Sequence, residues 1–412
     1  MQYGLIGAHL GHSFSKEIHE KITDYTYELQ ELSVEELDGF MKTHAFRAIN
    51  VTIPYKEKVM DYVQHIDEKA KEIGAINTII NQNGVLWGYN TDYLGFKQML
   101  IHHQIEVKDR KVLILGSGGT AKTAKVVFQD LGAKEILIVS RNPKPNQISY
   151  QEATNLHQDA QIIVNTTPCG MYPHGQDLIL DITPFIALEA VCDVIYNPLQ
   201  TMLIQMSQKR NIPAISGLYM LVAQAVYAAE YFTNQKYSDT LIDEIYQDIK
   251  RKKENIVLVG MPSSGKTTIG KILAERLGKT FFDTDEVIEQ ILSMPIASYL
   301  NETTEAKFRE IEEMVIAHMA KGGNRVIATG GGAILRQQNI DALRMNGKII
   351  FLDRPLHLLQ ATSNRPLSSH KEQLQKLYEA RYEKYRLAAD IVIANQEDIE
   401  RVIEQIQKEV YQ

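Results

Sequence analysis

Short apolar runs separated by stretches of helical period organise this chain from end to end. Tyr3 to Ile6, Ala48 to Ile53 and Ala75 to Ile80 are runs of strand length with helical-period segments between them, so residues 1–100 are predicted to form an α/β domain around a mixed or parallel sheet. Over residues 101–216 the alternation becomes more regular. There Val112 to Leu115, Glu135 to Val139, Ile162 to Val164 and Val191 to Ile195 read as buried parallel strands, the succession of a Rossmann-type nucleotide-binding domain. Gly217 to Phe232 carries Leu, Val and Ala at helical spacing, and residues 217–250 are expected to return to the first domain. Asp239 to Lys253 places Leu241, Ile242, Ile245 and Ile249 on one helical face, and a further α/β domain is expected over residues 251–412. The sequence shows no internal repeat and no low-complexity segment.

Two glycine-rich turns add chemistry to this frame, each directly after an apolar run. Gly260-Met261-Pro262-Ser263-Ser264-Gly265-Lys266-Thr267 follows Ile256 to Val259 and matches the P-loop pattern, in which backbone N–H groups surround triphosphate oxygens. Gly260, Ser263, Ser264, Gly265, Lys266, Thr267 and Thr268 are therefore the expected ATP contacts, with Lys266 on the β- and γ-phosphates and the Thr267 hydroxyl on Mg²⁺. The other turn, Gly116-Ser117-Gly118-Gly119-Thr120-Ala121, follows Val112 to Leu115 and fits the dinucleotide pattern G-x-G-x-x-[GA]. The next strand ends in Ser140-Arg141-Asn142, with no acid to accept the ribose hydroxyls. Arg141 can instead bind a 2′-phosphate and stack on adenine, which predicts NADPH. Two nucleotide sites on one chain predict two enzymes.

A length of 412 residues fits two to four domains at roughly 100–200 residues each. The net charge of −7 speaks against a nucleic-acid partner, and Lys250 to Lys253 reads as a solvated helix end whose cations complement the helix dipole. No apolar run approaches the ~20 residues that span a bilayer, and no signal-peptide pattern opens the chain, so no membrane association is expected. With only Cys169 and Cys192, neither a disulfide framework nor a structural zinc site is indicated, and a reducing cytoplasm is the expected location. Nothing in the sequence fixes the oligomeric state.

Further landmarks sit around the first two domains. Gly7, Gly11, His12, Ser13 and Ser15 follow the first strand, and spacing alone does not separate a substrate loop from an ordinary Gly/Ser turn. After them come Asn50-Val51-Thr52-Ile53-Pro54-Tyr55-Lys56-Glu57, Gly74 to Thr78, Gly88-Tyr89-Asn90-Thr91-Asp92-Tyr93-Leu94-Gly95, Asn165 to Met171 and Gly217 to Gln224. In order and wording these motifs closely resemble shikimate dehydrogenase, to about residue 235. The resemblance implies reduction of 3-dehydroshikimate by NADPH, with Lys56 and Asp92 catalytic and with Ser13, Ser15, Asn50, Thr52, Asn77 and Gln224 holding the substrate. It also implies Tyr196, Gly217 and Met220 near substrate or nicotinamide and Thr166 in the cofactor site. The chemistry agrees, because a ketone receiving hydride needs a proton donor at the developing alkoxide, and a lysine beside a carboxylate can serve. One departure is Lys16, where the family's Ser-x-Ser element is usually followed by proline; lysine leaves φ unrestricted.

Beyond the P-loop, Asp283-Thr284-Asp285 follows Phe281-Phe282, Phe308-Arg309-Glu310 lies on a helical stretch, and Thr329-Gly330-Gly331-Gly332 ends a strand. These resemble shikimate kinase over residues 255–412, which implies a P-loop kinase fold with a parallel sheet, like that of nucleoside monophosphate kinases. By that resemblance Asp285 orients the substrate 3-hydroxyl, Asp283 supports Mg²⁺, and Arg309 with Arg381 grips the substrate carboxylate. Gly330, Gly331 and Gly332 approach the ring, and Arg365 is the lid arginine facing the transferred phosphate. Ala361-Thr362-Ser363 lacks the second arginine often found there. The whole reading is a fusion catalysing consecutive steps of the shikimate pathway, with small-molecule substrates as its partners. Its rivals are a quinate-preferring dehydrogenase fused to a kinase and a non-catalytic shikimate or quinate sensor. Ser13 and Ser15 speak against the first, and Lys56, Asp92, Lys266 and Asp285 against the second.

Overall fold

The computed structural model describes residues 1–11, 14–359, 371–396 and 398–411. Ser13, Arg365 and the expected lid lie outside the described residues. Contacts group the chain into two compact units, one of 1–171, 177–196 and 206–248, the other of 172–176, 197–205 and 249–412.

The first unit holds two six-stranded sheets. One is mixed and runs Tyr27–Glu31, Tyr3–Gly7, Ala48–Val51, Thr78–Gln82, Val85–Tyr89, His65–Ile66, with antiparallel pairing where Thr78–Gln82 meets its two neighbours. The other is wholly parallel, in the order Ala214–Ser216, Ala190–Asp193, Ile162–Asn165, Lys111–Leu115, Glu135–Val139, Gln147–Ile148. Strand order reverses between Lys111–Leu115 and Ile162–Asn165, so a crevice opens outside their carboxyl ends, the usual place for a ligand in such sheets. Both strands are buried along nearly their whole length, which is why they read as unbroken apolar runs. The helix Leu218–Thr233 returns to pack against Thr91–His102 and Ser15–Ile22, as its apolar spacing predicts.

The second unit is built on a five-stranded parallel sheet, ordered Thr280–Asp283, Arg325–Ala328, Asn255–Val259, Gly347–Asp353, Ile391–Ala394. Side chains alternate across it. Val257, Val259, Ile327 and Phe351 enter one core with the helix Glu305–Lys321, whereas Ile256, Leu258, Ile350 and Leu352 enter the other with the C-terminal helix Ile399–Tyr411. The two short stretches that join this unit are held by Asn346, whose Nδ2 donates to Tyr172 Oη and Ala320 O at 3.1 Å each and whose Oδ1 accepts from Leu199 N at 3.0 Å. Boundaries drawn in chain order place Tyr172 and Leu199 with the Rossmann sheet; a buried carboxamide that needs partners groups them here instead.

Candidate active sites

In the first unit, strand ends and one helix N-terminus converge on a cavity of about 350 Å³. Asn50 comes from the strand Ala48–Val51, Thr52 follows it, and Lys56 stands in the turn beyond. Asp92 lies in the first turn of the helix Thr91–His102, which Asn90 caps by accepting from Tyr93 N at 3.1 Å. Asn77 pins that helix start to the sheet, its Oδ1 accepting from Thr91 N at 2.7 Å and from the Thr78 hydroxyl at 3.0 Å. Asn50 Nδ2 donates to Asn77 O at 3.2 Å and to Thr78 Oγ1 at 3.1 Å. This frame brings Lys56 Nζ within 2.6 Å of Asp92 Oδ2, and the two side chains keep 23% and 15% exposure, enough to meet a bound molecule. Ser15, Tyr196, Gly217, Met220 and Gln224 complete the wall, so every residue expected around the substrate lines one cavity except Ser13, which is not described.

Thr120 also lines that cavity, and it belongs to the glycine turn. Gly116 has φ +107°, and a Cβ there would stand 2.7 Å from Thr167 Cγ2. Gly118 precedes the helix Gly119–Asp130 with no side-chain cap, which leaves the first-turn N–H groups available to a diphosphate. Gly116 N donates to Val139 O at 2.8 Å, so Ser140-Arg141-Asn142 begins one residue beyond the neighbouring strand, where an adenosine ribose belongs. Arg141 is exposed there. Thr166, at the reversal of strand order, donates from N and Oγ1 to Leu115 O at 3.0 and 2.7 Å. Lys16, standing where the resembled family has proline, donates to Tyr27 O at 3.1 Å and pairs with Glu20 at 3.0 Å; a side-chain tether to the neighbouring strand occupies this position.

The second unit carries its own constellation. Lys266 Nζ sits at the loop mouth, donating to Gly260 O at 2.9 Å and Met261 O at 3.0 Å. The Thr267 hydroxyl donates to Asp283 Oδ2 at 2.7 Å, while Asp283 Oδ1 accepts from Asp285 N at 3.0 Å and caps the helix Thr284–Leu292. One carboxylate beside one hydroxyl suits Mg²⁺, which keeps most of its water and takes few protein ligands. Among the described residues no group of three or more His, Cys, Asp or Glu side chains is placed to hold a metal by itself.

A cavity of about 760 Å³ adjoins, lined by Asp283, Asp285, Arg309, Gly330, Gly331, Gly332 and Arg381. Two of its glycines lie hard against side chains of the site. A Cβ on Gly330 would stand 2.5 Å from Asp285 Oδ1 and one on Gly332 would overlap the Arg309 guanidinium. Arg309 is fixed by Glu312 Oε2 at 2.8 Å and Glu305 Oε1 at 2.9 Å, and Arg381 Nη1 donates to Gly331 O at 3.0 Å. Burial pushes the Glu312 carboxyl above its ordinary range, with Arg309 working in the opposite direction. Glu305 and Glu312 are partners that sequence reasoning missed, although their i−4 and i+3 spacing from Arg309 on one helix is a readable signal. Asn395 was missed as well; it donates to Ser264 O from behind the P-loop, and no local pattern marks it.

Comparison with known proteins places two families along the chain. Residues 5–79 match the shikimate dehydrogenase substrate binding domain, and residues 262–411 match the shikimate kinase family. A shikimate dehydrogenase (NADP(+)) of Clostridium perfringens (strain SM101 / Type A) is 36% identical over 266 residues, covering 60% of this chain and 98% of that protein. The crystal structure of a chorismate mutase/shikimate 5-dehydrogenase fusion protein from Clostridium acetobutylicum is 36% identical, with a TM-score of 0.57 over 61% of this chain and 97% of that one. Shikimate 5-dehydrogenase from Thermus thermophilus, in complex with NADP(H) and shikimate, is 25% identical with a TM-score of 0.55, covering 60% of this chain and 99% of that one. The chain belongs to the shikimate dehydrogenase family and carries at its C-terminal side a shikimate kinase domain, a bifunctional fusion of the two.

Proposed function

We propose that this enzyme reduces 3-dehydroshikimate to shikimate with NADPH and then phosphorylates shikimate at its 3-hydroxyl with ATP and Mg²⁺. The observation that carries it is that each compact unit holds its own cavity, glycine loop and charged pair. NADPH supplies the hydride of the first step. Lys56 is the proton donor to the alkoxide that develops on the former ketone, and Asp92 holds its ammonium at the cavity wall. Asn50, Asn77, Thr52, Ser15 and Gln224 orient the ring hydroxyls and carboxylate.

ATP supplies the phosphoryl group of the second step. Asp285 orients the attacking 3-hydroxyl and draws off its proton, Arg309 and Arg381 bind the substrate carboxylate, and Lys266 steadies the negative charge on the phosphates. Thr267 and Asp283 hold Mg²⁺. We place both reactions in the cytoplasm, where the free thiols of Cys169 and Cys192 stay reduced.

Incubation with 3-dehydroshikimate, NADPH, ATP and Mg²⁺ tests this directly. NADPH absorbance should fall and ADP should appear in equal final amount, with ADP lagging. NADPH loss without ADP, or no loss at all, overturns the reading.

Cofactor choice has its own test. Arg141→Ala is expected to weaken NADPH binding by about one to two decades, since a hydrogen bond to a charged group contributes roughly 1.5–3 kcal/mol, and to leave NADH binding nearly unchanged. Titrating each cofactor by fluorescence measures the ratio. An unchanged preference would move the 2′-phosphate to another cation, Lys144 first.

A further inference from the structure

Behind Asn50 lies a buried polar column that no step of the reaction uses. Asn77 O accepts from one end of the Asn50 carboxamide, and a carbonyl can only accept, so that end is the NH₂ and the other is the oxygen. The oxygen takes its bond from the Tyr27 hydroxyl at 2.7 Å. Asn77 O therefore sets which way the Asn50 carboxamide faces, and the Tyr27 hydroxyl supplies the partner of the oxygen end that results.

Tyr27 is itself held from two sides. The His19 ring stacks on it with centroids 4.0 Å apart and planes 6° from parallel, and His19 Nδ1 is bonded to the Tyr25 hydroxyl at 2.7 Å. Lys16 Nζ donates to the Tyr27 carbonyl at 3.1 Å. Tyr27 and His19 have almost no exposure. Burial pushes the imidazole down to about 3, with a hydrogen bond to Asn50 working the other way, so His19 stays neutral and serves as a rigid plate.

We propose that Tyr27 is a positioning residue for the dehydrogenase substrate, fixing the Asn50 carboxamide from behind while Lys16 and His19 fix Tyr27. The proposal rests on reading the cavity at Lys56 as the shikimate site. Without the hydroxyl, Asn50 Oδ1 loses a buried partner while Asn77 O and Thr78 Oγ1 still hold Nδ2, so the carboxamide keeps its sense but is held less firmly at its oxygen end, which loosens the polar wall that the substrate meets.

Steady-state kinetics of Tyr27→Phe in the full chain tests this. The KM for shikimate should rise about two- to tenfold, the range of one neutral hydrogen bond, with kcat, the KM for NADP⁺ and kinase activity close to wild type. Lys16→Met should raise the same KM to a smaller extent, and Lys16→Arg should restore it. Lys16 is half exposed and lies off the cavity wall, so its pair of variants decides the matter should Tyr27→Phe fail to fold. A merely structural role would lower kcat and raise both KM values together, alongside a lower melting temperature. That pattern, or an unmoved shikimate KM in a folded variant, overturns the proposal. Wild-type enzyme that cannot oxidise shikimate with NADP⁺ would instead sink the reading of the cavity itself.

Discussion

Lys56→Ala is expected to lower NADP⁺-dependent shikimate oxidation by about two to four orders of magnitude, the usual contribution of a positioned acid–base group, and to leave ATP-dependent phosphorylation within about twofold of wild type. The loss should fall on kcat. Lys56 makes its close polar contact with Asp92, at 2.6 Å, and neither residue belongs to the glycine turn, so NADPH affinity should change little. Parallel assays of the two reactions on one preparation, with NADPH titrated separately, distinguish the outcomes. Loss of both activities in a folded variant would mean that one site serves both reactions. Full retention of oxidation would remove Lys56 from the chemistry and leave Asp92, or a water held by it, as the proton carrier.

Much of this arrangement was legible in the residues because its central strands are buried on both faces. Lys111–Leu115 and Asn255–Val259 are nearly unbroken apolar runs, and each ends in the glycine turn that the chemistry requires. Edge strands were not legible. Tyr27–Glu31 alternates only briefly, with Tyr27 buried but Leu29 as well as Glu28 exposed, so its pattern marks no continuous buried face and it owes its conformation to pairing with Tyr3–Gly7 earlier in the chain. Lys16 shows the same limit at a single residue. Its sequence suggests only a lost constraint on φ, whereas its acceptor is a carbonyl eleven residues on, visible once the edge strand is in place. Tyr172 and Leu199 are harder still, since their partner Asn346 lies well over a hundred residues later and nothing local announces it. Glu312 lay closer to reach. Helical spacing alone sets it beside Arg309, so the pair could have been read as a brace once Arg309 was taken for a carboxylate grip.

Lys266→Ala should produce the converse of the Lys56 result, with ADP formation falling by about two to three orders of magnitude, the typical cost of removing one donor from a charge-stabilising site, and shikimate oxidation unchanged. Lys266 is 8% exposed and its ammonium is held by Gly260 O and Met261 O at the mouth of the loop, already where triphosphate oxygens would arrive. Little rearrangement stands between that position and its role, so its removal should not be made good by the neighbouring Thr267 and Thr268 hydroxyls, which carry no charge. Binding and chemistry separate through thermal melting. A ligand specific to the folded state raises the melting temperature according to its concentration over Kd, so the shift given by ATP with Mg²⁺ should shrink in Lys266→Ala while the shift given by NADPH stays as in wild type. Asp283→Asn should differ from both, keeping the ATP shift but requiring more Mg²⁺ to reach its best rate, because it alters the support of the metal and not the grip on phosphate. Undiminished phosphorylation by Lys266→Ala would place the phosphates elsewhere in the unit and sink the assignment of the loop.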